Sequence, residues 1–161
     1  MSFNRFKQAQ DSPESGFEVA QGEMNAGRKT SHWIWYILPQ LAGLGRSETA
    51  RFYGLADLAE AKAYFRDPIL RKRLELIVSS IASRLAEGIS LGTLMGGATD
   101  SLKTVSCLTL FRAVATEAGS DLHAGFVQSG EAILATAFRE GVPRCAYTER
   151  AVGQEFGARA S

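Results

Sequence analysis

Histidine and cysteine are scarce here, two of each in 161 residues, and their scarcity removes several chemistries at once. His32 and His123 cannot supply a multi-histidine metal site, and no HExxH, CxxC, Walker or GxSxG motif occurs, so no metal or cofactor is expected. Neither histidine stands in a recognisable nucleophile setting, which sets a Ser-His-acid triad aside. Cys107 and Cys145 lie far apart in dissimilar surroundings, the pattern of two reduced structural thiols rather than of a disulfide framework. An excess of either charge is missing as well. Eighteen basic against 17 acidic residues leave a formal net charge of +1, without the footprint of a non-specific nucleic-acid binder. No apolar run approaches the roughly 20 residues of a membrane helix. Residues Met1 to Asp11 are polar and show no apolar core before a small-residue cleavage site, so the expected compartment is the cytoplasm. There is no internal repeat, low-complexity tract or interdomain linker, and no pair of β-branched runs joined by a hairpin turn.

What remains is 45% hydrophobic and 22% charged, the composition of an ordinary globular domain. The expected fold is all-α, a single compact domain over residues 1–161 with about seven or eight helices. Residues 1–12 read as an N-terminal arm. Ser12-Pro13 reads as the start of an amphipathic helix carrying Phe17, Ala20 and Met24 and closing at Gly27. Ser31 is a candidate cap for the run Trp33 to Leu38, which lacks alternation and fits either a buried helix or a strand ended by Pro39. Gly43 and Gly45 in the loop that follows suit unusual backbone or close approach. Asp57 with Glu60 makes a capping-box variant ahead of Leu58, Ala61 and Phe65. Asp67-Pro68 opens the clearest helix, with Leu70, Leu74, Ile77, Val78, Ile81 and Leu85 at intervals of three and four, closed by Gly88. Asp100 reads as the cap of a broadly apolar helix from Ser101. A short helix near Leu122 to Val127 and a second from Glu131 to Glu140 follow, and residues 145–161 read as a weakly ordered C-terminal helix.

Two groups of residues have chemical potential. Both tryptophans, one histidine and one proline crowd positions 32–39. There His32, Trp35, Tyr36 and Gln40, joined by Glu23 and Lys29 from the end of the preceding helix, bring polar groups and flat rings that suit a ligand pocket: rings stack on a base while carboxylate, imidazole and amide read its edges. A core helix with satisfied polar groups is the plainer alternative. The second group is Asp100, Lys103, Ser106 and Thr109, an acid at a helix start and a polar stripe three residues apart, where Lys103 would meet a phosphate or the Asp100 carboxylate. Arg46 beside the glycine-rich turn is a further anion-binding candidate.

The stretch His32-Trp33-Ile34-Trp35-Tyr36-Ile37-Leu38-Pro39-Gln40, followed by Gly43-Leu44-Gly45-Arg46-Ser47, Tyr53-Gly54, Glu60-Ala61, Ala63-Tyr64 and then Asp100, Lys103, Ser106, Cys107 and Thr109-Leu110-Phe111, strongly resembles the uncharacterised bacterial family catalogued as domain of unknown function 1810. The resemblance spans about Phe6 to Gly141 and takes in Phe6, Ala9-Gln10, Glu23, Gly27 and Lys29; after Pro143, where the pattern has an acid, this chain has Arg144. It implies a mainly α-helical fold and no established activity. The layout is more distantly similar to NADAR-type proteins, which are associated with NAD and ADP-ribose and include N-glycosidases. That likeness implies Glu23 or Asp100 as the catalytic carboxylate that stabilises or deprotonates at an N-glycosidic centre, Trp35 or Tyr36 stacked on a base, and Lys29, Arg46 or Lys103 at phosphates. The expectation is a pocket for a nucleotide-like or other phosphorylated small ligand, with an N-glycosidase-type hydrolase as one form of it and enzymatic activity left open. The alternative is a non-catalytic protein-interaction module using segment 32–40 as its contact surface.

Overall fold

The computed structural model describes residues 2–119 and 121–157. Among the described residues there are ten α-helices and one 3-10 turn: α1 (Asn4–Gln10), α2 (Phe17–Ala26), α3 (Ile34–Ile37), the turn Ala42–Leu44, α4 (Glu48–Tyr53), α5 (Leu58–Arg66), α6 (Pro68–Ala86), α7 (Leu91–Met95), α8 (Ala98–Ala118), α9 (Ala124–Arg139) and α10 (Ala146–Gly157). The fold is all-α. The expected count of seven or eight helices falls short mainly because α3, α4 and α7 are only four, six and five residues long, too short to announce themselves by periodicity. No helix among the described residues is long and apolar enough to cross a membrane.

Local chemistry explains the best-formed helix starts. Asp57 Oδ1 accepts the Glu60 amide at 2.9 Å, and Glu60 Oε1 reaches back to the Ala56 amide at 3.4 Å, so α5 begins in a capping box set one residue wider than usual. Asp67 Oδ1 accepts from Ile69 and Leu70, with Pro68 as the first residue of α6. α8 buries side chains without a break from Thr104 to Phe111, the mark of a helix enclosed on all sides. α9, α5, α7 and α10 pack around it, and α9 and α2 both lie against α6. Trp33, Tyr64, Phe6, Phe65 and Phe111 are the largest fully buried side chains, each contributing about 1.5–3 kcal/mol by burial.

Several boundaries differ from the sequence expectation. The N-terminal arm contains helix α1, which Phe6 and Gln10 anchor: Phe6 meets Tyr64 edge-on at 5.1 Å, and Gln10 Nε2 donates to the Tyr36 carbonyl and the Tyr64 hydroxyl. Ser12-Pro13 does not start α2. Ser12 Oγ accepts from the Glu14 and Ser15 amides in a turn so tight that a Cβ at Gly16 would lie 2.3 Å from the Ser12 carbonyl oxygen, and the helix begins beyond that glycine. Ser31 is no cap either; α3 starts behind Trp33, and the Ser31 hydroxyl points to Glu23. Gly96 and Gly97, at φ +80° and +138°, deliver the chain into α8 at Ala98, so Asp100 sits inside the first turn instead of capping it. The two helices expected between 122 and 140 are one, α9. Gly130 lies within it, buried where Arg112 and Leu108 of α8 come within 4 Å of the space a Cβ would take. The terminal helix α10 packs on α8 and α5, and Lys62 of α5 pairs with Glu155 at 3.3 Å; the end of the expected 145–161 helix, residues 158–161, lies outside the described residues.

Candidate functional site

Glu23, near the end of α2, gathers the chain that leads into α3. Its carboxylate accepts the Thr30 amide at 2.7 Å, the Ser31 amide at 3.0 Å, the Ser31 hydroxyl and the Trp33 indole N–H at 3.0 Å. Burial pushes this carboxyl up, yet the hydrogen bonds, led by the Ser31 hydroxyl, outweigh it and hold the group at about 2. Glu23 is therefore an ionised anchor for residues 30–33, with its oxygens turned to that loop.

Lys29 and Asp100 join the two groups of residues singled out in the sequence. The Lys29 side chain is 5% exposed; its ammonium lies 2.8 Å from Asp100 Oδ2, donates to the Ser31 carbonyl, and sits 5.0 Å from the centre of the Trp33 ring. The other Asp100 oxygen, Oδ1, is 3.5 Å from the ammonium of Lys103, one turn along α8. Lys103 in turn stands over the Trp35 ring at 4.7 Å. Placing Asp100 within the helix, through the two glycines before it, is what lets one carboxylate stand between two lysines.

Lys103 opens onto a cavity of about 400 Å³ between the Gln40–Gly45 turn, α8 and the start of α10. Gln40, Leu44, Leu102, Ser106, Cys145 and Tyr147 are among its walls. The glycines of the turn shape it through close approach, with no positive φ at either position. A Cβ at Gly43 would fall 2.1 Å from the Tyr147 hydroxyl, and one at Gly45 would fall 2.3 Å from the Ala50 Cβ. An isolated parallel bridge between Leu41 and Leu55 fixes the turn, the Ala42 amide donating to the Leu55 carbonyl at 2.8 Å.

The remaining sequence candidates are distributed unevenly. Ser106 faces the cavity but donates its hydroxyl to the Leu102 carbonyl, and Thr109 donates to Val105. Thr109 lines a different cleft, of about 490 Å³, between α8, α9 and α10, where Arg112 pairs with Glu131 and Arg144 with Glu149. Tyr36 is buried away from the cavity, its hydroxyl donating to the Ser15 carbonyl at 2.7 Å and its ring 5.0 Å from that of Tyr53. His32 and Arg46 are exposed. As walls of the cavity Tyr147, Cys145 and Leu102 escaped the sequence reading. The one sequence signal for Tyr147 is Gly43, a position that excludes a side chain without saying what fills the space.

Comparison with known proteins agrees with this architecture. The chain superposes on the crystal structure of the conserved hypothetical protein Rv1873 from Mycobacterium tuberculosis with a TM-score of 0.74 and 32% identity, over 90% of this chain and 91% of that one. No curated protein matches. The model of the family described as "Protein of unknown function (DUF1810)" matches residues 1–129, and with that match over most of its length the chain belongs to this family.

Proposed function

We propose that this protein binds a nucleotide-like or other phosphorylated small molecule in the cavity between the Gln40–Gly45 turn, α8 and α10. The observation that carries this reading is the lining itself. Apolar walls from Leu44, Leu102, Pro143 and Tyr147 meet one ammonium, Lys103, and one side-chain amide, Gln40, in a concave space of about 400 Å³, within the size range of small-molecule sites. The reading is of binding alone. An acid working on an N-glycosidic bond would have to face the ligand, whereas the Glu23 oxygens are taken up by residues 30–33 and Asp100 is held by Lys29. Trp33 and Tyr36 are buried and Trp35 is half-buried, which favours the cavity over segment 32–40 as the place of contact.

Thermal unfolding in the presence of NAD, ADP-ribose, mononucleotides, sugar phosphates and inorganic phosphate tests the proposal. A ligand at about a hundred times its Kd stabilises the native state by roughly 2.7 kcal/mol, which raises the midpoint by several degrees in a chain of this size. The expected result is a shift with phosphorylated compounds that disappears in Lys103→Gln, measured against the midpoint of that variant without ligand. Absence of a shift with every compound contradicts the proposal.

A further inference from the structure

We infer that the cavity selects a single compact anionic group carried on a flat body of mononucleotide size, and that the ion pair of buried Lys29 with half-buried Asp100 sets how strongly Lys103 holds that group. The inference rests on the binding reading above and narrows it to a ligand class.

Charge balance is the first ground. Lys29, Asp100 and Lys103 lie in one chain of contacts, Nζ to Oδ2 at 2.8 Å and Oδ1 to Nζ at 3.5 Å, so two ammoniums share one carboxylate. The shorter contact is made by Lys29, whose side chain is almost wholly buried, whereas Lys103 is 22% exposed and opens on the cavity. One positive charge is left over, and it resides on the lysine that a ligand can reach. Arg144 also borders the cavity, its side chain 66% exposed and engaged at the surface by Glu149 at 3.1 Å and by the Phe138 ring at 4.3 Å. A ligand with one anionic group matches this balance. A molecule with two charged phosphates would have to draw Arg144 away from Glu149 to meet its second charge.

Shape is the second ground. The volume, about 400 Å³, lies toward the small end of ligand cavities. The face of Trp35 is covered by the Lys103 ammonium at 4.7 Å, so the ring left to receive a flat body is Tyr147, 45% exposed and seated against Gly43. Gln40 supplies a donor and an acceptor for the edge of that body.

Asp100 then acts as a counterweight that never touches the ligand. Lys29→Met leaves the carboxylate to Lys103 alone and brings the local charge to zero. Asp100→Asn has the opposite effect. The double variant Lys29→Met/Asp100→Asn removes both members of the pair and restores the original balance; removing such a pair as a unit is tolerated better than stranding the charge of buried Lys29. A charge interaction over a few ångströms near a protein surface changes affinity by on the order of tenfold or more.

Isothermal titration of the full chain with AMP, adenosine, inorganic phosphate and ADP-ribose, with unfolding curves for each variant, tests the inference. The expected results are AMP binding at least about tenfold tighter than adenosine and no weaker than ADP-ribose, AMP affinity about tenfold weaker in Lys29→Met, and recovery in the double variant. Equal weakening in Lys29→Met and the double variant would show the pair to be only structural and overturn the inference. Should Lys29→Met not fold, Asp100→Asn reads the same balance from the other side: tighter AMP binding is expected, and unchanged or weaker binding overturns it. AMP bound through Lys103 with a flat response across the charge series removes this inference and leaves the binding reading standing. No binding of any of the four compounds to the parent protein removes this inference, and the binding reading falls with it only when NAD and sugar phosphates also leave the unfolding midpoint unchanged.

Discussion

Four donors converge on the Glu23 carboxylate, and the consequence is measurable as acid stability. Its folded value of about 2 lies below the ordinary 4.5, so the native state binds the proton less readily than the unfolded chain. The stabilisation is therefore complete above pH 4.5 and is lost as pH falls toward 2, with a size of about 2 kcal/mol after allowance for solvent screening. Urea unfolding between pH 6 and 3 should show this decline, and Glu23→Gln should be less stable at neutral pH by about 2 kcal/mol and flatter across the same interval; an unchanged pH profile in that variant would remove the anchoring role. In the sequence Glu23 looks like a candidate acid, because nothing in one dimension shows that Thr30, Ser31 and Trp33 return to it. Gly43 is legible as a position that needs close approach, while its partner Tyr147 is not. In Gly43→Ala the new methyl would meet the tip of the Tyr147 side chain. That ring can swing away, so a stability change under about 1 kcal/mol is expected, together with altered tyrosine fluorescence; an unperturbed Tyr147 signal would contradict the packing described.

Helix ends carry a second set of local contacts. Asp67→Ala removes an oxygen that accepts two amides at the start of α6 and the partner of Lys7 at 2.7 Å, so it should cost about 1–2 kcal/mol; chemical denaturation measures it, and a loss below a few tenths would contradict the cap. Gly54→Ala would set a methyl 2.5 Å from the Ala42 Cα, backbone that cannot yield as a side-chain tip can. A loss of about 1–3 kcal/mol is expected, read from the unfolding midpoint. The starts of α5 and α6 are legible because their signals are local, an Asp cap followed by Glu60 or Pro68. α1 is not, since Phe3 makes no side-chain cap and the helix is held by the contacts of Phe6 and Gln10 with residues far along the chain. The entry to α8 is misjudged for a related reason: Asp100 has the chemistry of a cap, but the backbone turn of Gly96 and Gly97 begins the helix earlier and releases its carboxylate to Lys29.

At the scale of the whole molecule, three distant segments make one cavity: the turn after Pro39, the first half of α8, and the start of α10. The first two hold the residues that sequence reading marks. The third lies beyond residue 129, where the family match ends, and its Tyr147 completes the wall only because α10 returns across α8 and the turn. That return is made by long-range packing on α8 and α5, with the Lys62–Glu155 pair beside it, for which the sequence carries no short-range sign. Binding in this cavity is the central claim, and the most direct test is a crystal structure of the protein soaked with a nucleoside monophosphate. The expected result is ordered density beside Lys103, with the phosphate at its ammonium and the base against Tyr147 and Gln40. Density at another surface, or a cavity that stays free of ligand at concentrations that stabilise the protein, would contradict the account.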